Sequence, residues 1–425
     1  MPEPATKPPS PRPRHRRSLC GLCLCTALLA LVVSALVHLG SPQRRSAPAH
    51  AARFSVIIDG GSTGTRAHVF AARPDGRPDL ARSAVMRVSP GLSSFAAEPA
   101  RAGESLRLLM EFARDKVGGA VGETEVRLMA TAGLRLLDES AQEAILASCR
   151  DALRASGFRF EDAWAKVIPG SDEGIYAWIA ANYALGTLGG DPHKTVGIIE
   201  LGGASAQLTF VSDEVLPPEL SSNFTFGETT YTLYTNSFLN FGQNAAQDSL
   251  LEILRLRGSS NNSTVFDPCS PKGYSHSEQV MIFFVNVVTK GKRPKYFPSM
   301  ISWRLMINGH FYFLNTEKCQ YQQCHLGSMF VPELRGHFLA TENFYFTSKF
   351  FGLGHSSSLY DFAHAGELFC SQDVSTLRKH YPNQSNEAFS RYCFSSAYIV
   401  ALLHDSLGVP LDDKRQVYGH INVLN

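Results

Sequence analysis

Val56-Ile57-Ile58-Asp59-Gly60-Gly61 and Ile198-Ile199-Glu200-Leu201-Gly202 are two versions of one short design. Each is an apolar strand that ends in a carboxylate, followed by a glycine-bearing turn and a second extended stretch. A single copy is typical of an ordinary hairpin with a glycine turn. Two copies, whose carboxylates lie 141 residues apart, indicate a duplicated unit. They predict two related lobes that face each other across a cleft.

Short apolar strands alternate with helical segments around these turns, which is typical of an α/β fold. We predict strands at 54–58, 67–70, 126–129, 165–168, 196–199 and 207–211. We predict helices at 103–118, from about 171 to 185, and from a capping box at Ser140 and Glu143 to about 155.

The two turns have the composition of phosphate-binding loops. Glycines let the backbone N–H groups approach an anion closely, and the hydroxyls of Ser62, Thr63, Thr65 and Ser205 add donors. Two facing turns predict a site for successive phosphoryl groups of a polyphosphate. Asp59 and Glu200 would lie beside it, and two carboxylates with substrate phosphates are a typical environment for Mg²⁺.

Glu173 lies in a strand-to-helix turn, where two interpretations are open. It is either a first-turn acid that the helix dipole favours, or a base that deprotonates an attacking water. Asp172 is the fallback candidate for the base. Thr131 and Arg135 follow a buried strand, as a phosphate donor and a cation would, and an exposed structural arginine is the alternative for Arg135.

An almost uncharged segment of 21 residues at 19–39 is long enough to span a bilayer. By the positive-inside rule, the basic residues before it place a tail at 1–18 in the cytosol. We predict a signal anchor, a linker at 40–52, and a single-pass type II membrane protein. A cleaved signal peptide is the alternative, because Ala47 and Ala49 are small. Either way the body lies in the Golgi or another endomembrane lumen, or at the cell surface.

The 40 basic and 38 acidic residues leave a net charge of +2, which argues against a nucleic-acid partner.

The cysteines and the glycosylation acceptors agree with a luminal or extracellular compartment. Five of the six cysteines in the body lie beyond residue 260, which indicates a disulfide-bearing region. Four asparagines begin Asn-x-Ser/Thr triplets and are acceptors if exposed, so we predict a glycoprotein; they are Asn223, Asn261, Asn262 and Asn383.

Four segments occur in order along the chain: Asp59-Gly-Gly-Ser-Thr-Gly-Thr-Arg66, Ala130-Thr-Ala-Gly-Leu-Arg135, Gly170-Ser-Asp-Glu-Gly-Ile-Tyr-Ala-Trp178 and Glu200-Leu-Gly-Gly-Ala-Ser-Ala-Gln207. In sequence and spacing they resemble conserved regions of the nucleoside triphosphate diphosphohydrolases, the ecto-apyrase family, and most of all its plant apyrases.

The resemblance implies two ribonuclease-H-like lobes of the actin/Hsp70/hexokinase type around a nucleotide cleft. It implies that Glu173 is the catalytic base, assisted by Ser205 and Gln207, and that Asp59 and Glu200 bind Ca²⁺ or Mg²⁺ through waters. The implied phosphate-binding residues are Gly61, Ser62, Thr63, Gly64, Thr65, Thr131, Gly202, Gly203, Ala204 and Ser205.

The family's spacing also implies two disulfides, Cys319–Cys324 and Cys370–Cys393, which leaves Cys149 and Cys269 unpaired. Two regions depart from the pattern. Residues 280–316 lack the family's cysteine, and the chain ends without the family's closing tryptophan motif. We therefore predict lobe one at 53–168, lobe two at 169–404, and a truncated return to lobe one at 405–425.

The predicted function is divalent-cation-dependent hydrolysis of nucleoside tri- or diphosphates, with release of the terminal phosphate by direct attack of water. No obligate protein partner is expected. An exopolyphosphatase-like phosphohydrolase is one alternative. A non-catalytic nucleotide binder is the other, because of the departures at 280–316 and at the C-terminus.

Overall fold

The computed structural model describes residues 53–258, 264–267, 269–280, 285–291, 324–326, 329–355, 357–413 and 416–418. The predicted anchor at 19–39, its flanks and most of the stretch 280–316 lie outside these residues. Within the described ranges, no helix is both long and apolar enough to cross a bilayer.

Lobe one is built on a five-stranded sheet whose order is β3-β2-β1-β4-β5. The first three strands are antiparallel neighbours, and β4 and β5 continue the sheet in parallel. The strands are β1 (Arg53–Gly60), β2 (Thr65–Ala72), β3 (Pro78–Val88), β4 (Glu125–Ala130) and β5 (Ala165–Val167).

Helices complete lobe one by covering one face of this sheet. They are α1 (Ala100–Ser105), α2 (Arg107–Val117), α3 (Ala132–Arg135) and α4 (Glu139–Arg154). Alternate residues of the strands are buried, as the period of a strand with one face in a core requires. Val56, Ile58 and Leu128 thus form one core with the apolar faces of the helices, Leu109 of α2 and Ile145 of α4 among them.

Lobe two is built on a six-stranded sheet whose order is β16-β15-β6-β7-β9-β8. The strands are β6 (Gly197–Leu201), β7 (Ser205–Val211), β8 (Ser221–Phe226), β9 (Thr229–Leu239), β15 (Phe338–Glu342) and β16 (Gln416–Tyr418). Smaller sheets are formed by β10 (Thr264–Asp267), β11 (Ser275–Val280) and β12 (Val285–Gly291), and by β13 (Cys324–His325) and β14 (Met329–Phe330).

The internal repeat extends well beyond the hairpin that reveals it. Strand β6 is antiparallel to β7, β7 is antiparallel to β9, and β15 and β16 follow β6 in parallel. The order β9-β7-β6-β15-β16 therefore reproduces β3-β2-β1-β4-β5, with β8 added at one edge. The predicted two-lobe α/β fold is confirmed at this level.

The helices of lobe two are α5 (Gly170–Ala184), α6 (Gln243–Gly258), α7 (Asn343–Phe350), α8 (Leu359–Cys370), α9 (Val374–His380) and α10 (Asn386–Val400). Helix α5 packs on the sheet through Trp178, which is fully buried against Tyr231. The predicted disulfide Cys370–Cys393 joins α8 to α10. Cys149 and Cys269 are buried free thiols, as expected, and Cys319 lies outside the described residues.

Three local predictions are corrected by the structure. The helix expected at 103–118 is divided into α1 and α2. Helix α4 begins one residue before the expected capping box, because Asp138 accepts the N–H of Ala141 at 2.8 Å and serves as the cap. Finally, the expected return of 405–425 to lobe one is not observed where the chain is described. Residues 416–418 pair with β15, so they belong to the second sheet.

One glycine packs against each hairpin turn, three residues after β3 in lobe one and three residues after β9 in lobe two. A Cβ on Gly91 would lie 2.3 Å from the carbonyl oxygen of Gly61. A Cβ on Gly242 would lie 2.3 Å from the amide nitrogen of Ala204. Real Cβ atoms do not approach backbone so closely, so both positions require glycine because the loop backbone lies against them.

We expect Gly91→Ala and Gly242→Ala each to lower the free energy of unfolding by about 1–3 kcal/mol, the usual cost of overpacking. Gly119→Ala is the matched control, because no atom lies within 4 Å of the Cβ that it would add. Denaturant unfolding of the three variants measures the effect. Equal midpoints would contradict the close approach of the loops.

Candidate functional site

The two glycine turns meet between the lobes. A Cβ on Gly203 would lie 2.5 Å from Oγ of Ser62 and 2.7 Å from Cγ2 of Thr63. Thr131 lies beside the first turn, because its N–H donates to the carbonyl of Gly60 at 3.2 Å. The structure therefore brings the predicted phosphate-binding residues of both motifs to one place.

Asp59 and Glu200 occupy equivalent ends of β1 and β6, but their partners differ. Asp59 is in register with Arg66 of β2, whose Nη1 donates to its carboxylate at 2.9 Å. Glu200 is in register with Gln207 of β7, which carries no charge, and with Thr341 of β15. The two halves of the repeat therefore differ in how they compensate their carboxylates.

Glu173 lies in the first turn of α5 and is bound by an arginine of lobe one. Nη2 of Arg135 donates to its carboxylate at 2.7 Å, and Nη1 donates to the carbonyl of Ile168 at 3.2 Å. The Arg135 side chain is 15% exposed and that of Glu173 is 23% exposed. The interpretation of Arg135 as an exposed structural residue is therefore wrong.

The same arginine connects Glu173 to the polar residues of β7 and β9. Its Nη2 lies 3.5 Å from Oγ of Ser205 and 3.4 Å from Oγ of Ser237. Nε2 of Gln207 donates to both hydroxyls, at 2.5 Å and 3.2 Å. The predicted catalytic residues Glu173, Ser205 and Gln207 thus form one hydrogen-bonded group with Arg135 at its centre.

Burial raises the pKa of Asp59 and of Glu173 above the ordinary values of these groups, although Arg66 and Arg135 oppose the rise. A carboxyl group out of water resists ionisation, because water no longer solvates its charge. A raised pKa is the property that a general base needs in order to accept a proton near neutral pH.

The pKa of Glu200 is raised well above the ordinary value, first by burial and then by the negative charges of Glu173, Glu342 and Asp59. These mutual effects bring four carboxylates into one electrostatic cluster. Arg66 also acts on Glu200 but only partly offsets the repulsion.

Glu342 and Ser237 are two of the site residues that sequence reasoning missed. Glu342 ends β15, and its carboxylate accepts a hydrogen bond from Nη2 of Arg66 at 3.3 Å. It is a non-glycine residue with a φ of 57°, which is unusual and often found at functional sites. No motif marks either residue, and only the pairing of their strands brings them here.

The donor set fits a divalent cation. Four carboxylates face two guanidinium groups, so negative charge is in excess, and carboxylate oxygens suit hard cations. The buried hydroxyls of Thr65 and Thr341, on strands that end at the site, have no hydrogen-bond partner in the described part of the protein. No group of three or more His, Cys, Asp or Glu residues in the described ranges could hold a metal directly.

Comparison with known proteins gives a consistent result. The family model described as GDA1/CD39 (nucleoside phosphatase) matches residues 46–423. Probable apyrase 6 of Arabidopsis thaliana is 51% identical over 392 residues, which cover 87% of this chain and 69% of that protein. Ectonucleoside triphosphate diphosphohydrolase 1 of Mus musculus is 30% identical, over 89% of this chain and 79% of that protein.

A solved structure of a nucleoside triphosphate hydrolase from Neospora caninum is similar in fold. Its TM-score is 0.59 at 16% identity, and the alignment covers 94% of this chain and 96% of that one. At this identity the likeness concerns the fold alone, and it agrees with the duplicated two-lobe arrangement.

We expect Glu200→Gln to raise the melting temperature of the cation-free protein near neutral pH. The folded-state pKa of Glu200 is raised, so the folded protein loses stability as pH rises through that pKa and the buried carboxyl group ionises. A neutral isostere removes this cost. A gain of about 1 kcal/mol corresponds to roughly 2–4 °C in a domain of about 150–250 residues.

The measurement is thermal unfolding of the unaltered protein and of Glu200→Gln, with chelator, between about pH 5 and pH 8. Glu123→Gln, at an exposed position, is the control. The difference between Glu200→Gln and the unaltered protein should narrow as pH falls. A variant that melts lower at every pH would contradict the electrostatic description.

Proposed function

The chain belongs to the GDA1/CD39 nucleoside phosphatase family and hydrolyses nucleoside phosphates, and we propose that it releases the terminal phosphate of nucleoside tri- and diphosphates by direct attack of water. One observation carries the mechanism: Arg135 connects Glu173 to Ser205 where the two glycine turns meet. That arrangement brings together Glu173, the hydroxyl of Ser205 and the two glycine turns, which are the proposed base, water-holding residue and phosphate-binding loops.

The turns bind the phosphates in this proposal. Backbone N–H groups of Gly61–Gly64, Gly203 and Ala204 would donate to the phosphoryl oxygens, as in other anion-binding nests. The N–H of Gly202 instead donates to the carbonyl of Ser205 at 3.0 Å. Hydroxyls of Ser62, Thr63 and Thr65 would add donors. These groups are fixed before substrate arrives, so they can stabilise charge that develops on the transferred phosphoryl group.

Glu173 is the base in this proposal, and Arg135 is the residue that orients it. The ion pair fixes one carboxylate oxygen, which leaves the other to accept the proton of the attacking water. Ser205 and Gln207 would hold that water in line with the bond that breaks, and such positioning supplies most of the catalysis in phosphoryl transfer.

Asp59 and Glu200 are the residues proposed to hold a divalent cation, Ca²⁺ or Mg²⁺, through its waters. The cation would neutralise charge on the phosphates and orient them. The excess of carboxylates supports the proposal, because without a cation these groups would repel an anionic substrate.

Substrate tests separate this function from the two alternatives that the sequence offers, an exopolyphosphatase-like activity and non-catalytic nucleotide binding. We expect release of phosphate from ATP and ADP with Mg²⁺ or Ca²⁺. Release from inorganic polyphosphate but not from nucleotides would favour the first alternative. Nucleotide binding without turnover would favour the second.

Residues 19–39 are proposed to anchor the chain as a type II membrane protein, with its body in an endomembrane lumen or outside the cell. The Cys370–Cys393 disulfide supports an oxidising compartment. Asn223 and Asn383 are exposed, so both are accessible to glycosylation there.

We expect Glu173→Gln to lower kcat by roughly 10²–10⁴-fold, the usual contribution of a positioned base, with little change in KM. Asp172→Asn is the matched control and should stay within about threefold of the unaltered protein. Steady-state phosphate release from ADP measures both. Equal losses in the two variants would remove the assignment of the base to Glu173.

The acidic limb of the pH–rate profile should lie above the ordinary glutamate pKa. Glu173 must be ionised to accept a proton, and burial raises its pKa, so activity should fall at a higher pH than an exposed glutamate would give. The profile of kcat/KM tests this. A limb at or below about pH 4.3 would exclude Glu173 as the titrating group.

The topology predicts N-glycans on the body of the protein. Treatment with a glycosidase should increase gel mobility, and Asn223→Gln with Asn383→Gln should reduce that shift. The protein should also stay with membranes in alkaline carbonate. A carbonate-soluble protein that lacks 1–49 would instead show a cleaved signal peptide.

A further inference from the structure

Arg66 bridges the two lobes by dividing its guanidinium between two carboxylates. Nη1 donates to Asp59 of lobe one at 2.9 Å, and Nη2 donates to Glu342 of lobe two at 3.3 Å. The exposed fractions are 22% for Arg66 and 31% for each carboxylate. The single positive charge of Arg66 thus compensates two carboxylates that belong to different lobes.

The backbone holds Glu342 in this position at a cost. Its φ of 57° and ψ of −118° are sparsely populated by residues with a side chain. The next residue fixes the turn, because Nδ2 of Asn343 donates to the carbonyls of Leu201 and Gly202 at 2.7 Å and 3.3 Å. The turn that carries Glu342 is thereby tied to the second phosphate loop.

Arg66 and a divalent cation compete for Asp59. A cation beside Asp59 and Glu200 would repel the guanidinium, and a displaced charge in a half-buried site needs another partner. Glu342 already contacts the other nitrogen of the same guanidinium, so Arg66 can leave Asp59 without losing all compensation.

We propose that Glu342 is a positioning residue that accepts Arg66 when a cation takes up Asp59, and so sets the affinity of the site for divalent cations. The inference rests on the proposed function, because it takes Asp59 and Glu200 as the residues that hold the cation. Glu342 acts through Arg66 and does not contact the cation or the reacting atoms.

A double-mutant cycle tests whether Glu342 acts through Arg66. The four full-length proteins are the unaltered chain, Glu342→Gln, Arg66→Met and the double variant. Calorimetric titration with Ca²⁺, and separately with Mg²⁺, measures affinity without nucleotide. Glu342→Asp is the rescue variant. Glu333→Gln is the matched control, because it breaks an exposed ion pair to Arg335 elsewhere in lobe two.

In the chain with Arg66, Glu342→Gln should weaken cation binding about threefold to tenfold. Without Glu342 as an alternative partner, Arg66 stays paired with Asp59 and opposes the cation there. In the Arg66→Met chain the same change should have less than about a twofold effect. Glu342→Asp should recover part of the affinity, and Glu333→Gln should bind as the unaltered protein does. ADP hydrolysis at saturating cation should show a smaller loss than hydrolysis at low cation.

Equal effects of Glu342→Gln in both backgrounds would overturn the proposal, since Glu342 would then act directly or through its charge alone. Thermal unfolding of each variant identifies any that fail to fold, and Glu342→Asp then provides the comparison in both backgrounds. If the unaltered protein binds cations but hydrolyses no nucleotide, the proposed function fails and the cycle still decides the role of Glu342. No cation binding by the unaltered protein would overturn both.

Discussion

An excess of negative charge between the lobes is the constraint on which the site depends. Burial raises the pKa of Glu200 well above its ordinary value, and the negative charges of Glu173, Glu342 and Asp59 raise it further. A flexible chain would separate these groups, because like charges out of water repel strongly. Two hydrogen-bonded sheets, each with its own apolar core, keep them together. The two packed sheets thus hold together an excess of negative charge that would attract a cation.

Both arginines of the site act across the lobes. Arg66 connects β2 to Glu342, and Arg135 connects α3 to Glu173 and to the serines of lobe two. The groups that set the relative position of the lobes are therefore the groups that would meet substrate and cation.

Site residues that lie in a contiguous motif could be predicted from the sequence, whereas residues that reach the site only when distant strands pair could not. Asp59 and Glu200 could be found because strand, carboxylate, glycine and return strand are contiguous. Glu342 could not, because it reaches the site when β15 pairs with β6, 142 residues after Glu200 (342 minus 200). The same holds for residues 416–418, whose strand joins lobe two through pairing alone. The start of α4 was missed for a smaller reason: Asp138 and Ser140 are both good caps, and the first prevails.

The duplicated hairpins also differ in how far each one neutralises its own carboxylate. Register places Arg66 opposite Asp59, whereas the equivalent position opposite Glu200 is Gln207. Gln207 turns its amide to Ser205 and Ser237 and supplies no charge. One copy of the design therefore neutralises its carboxylate within the hairpin, and the other leaves its carboxylate to be neutralised by a ligand. An arginine in place of Gln207 would cancel more of the negative charge of the cluster, and the site would then attract a cation less strongly.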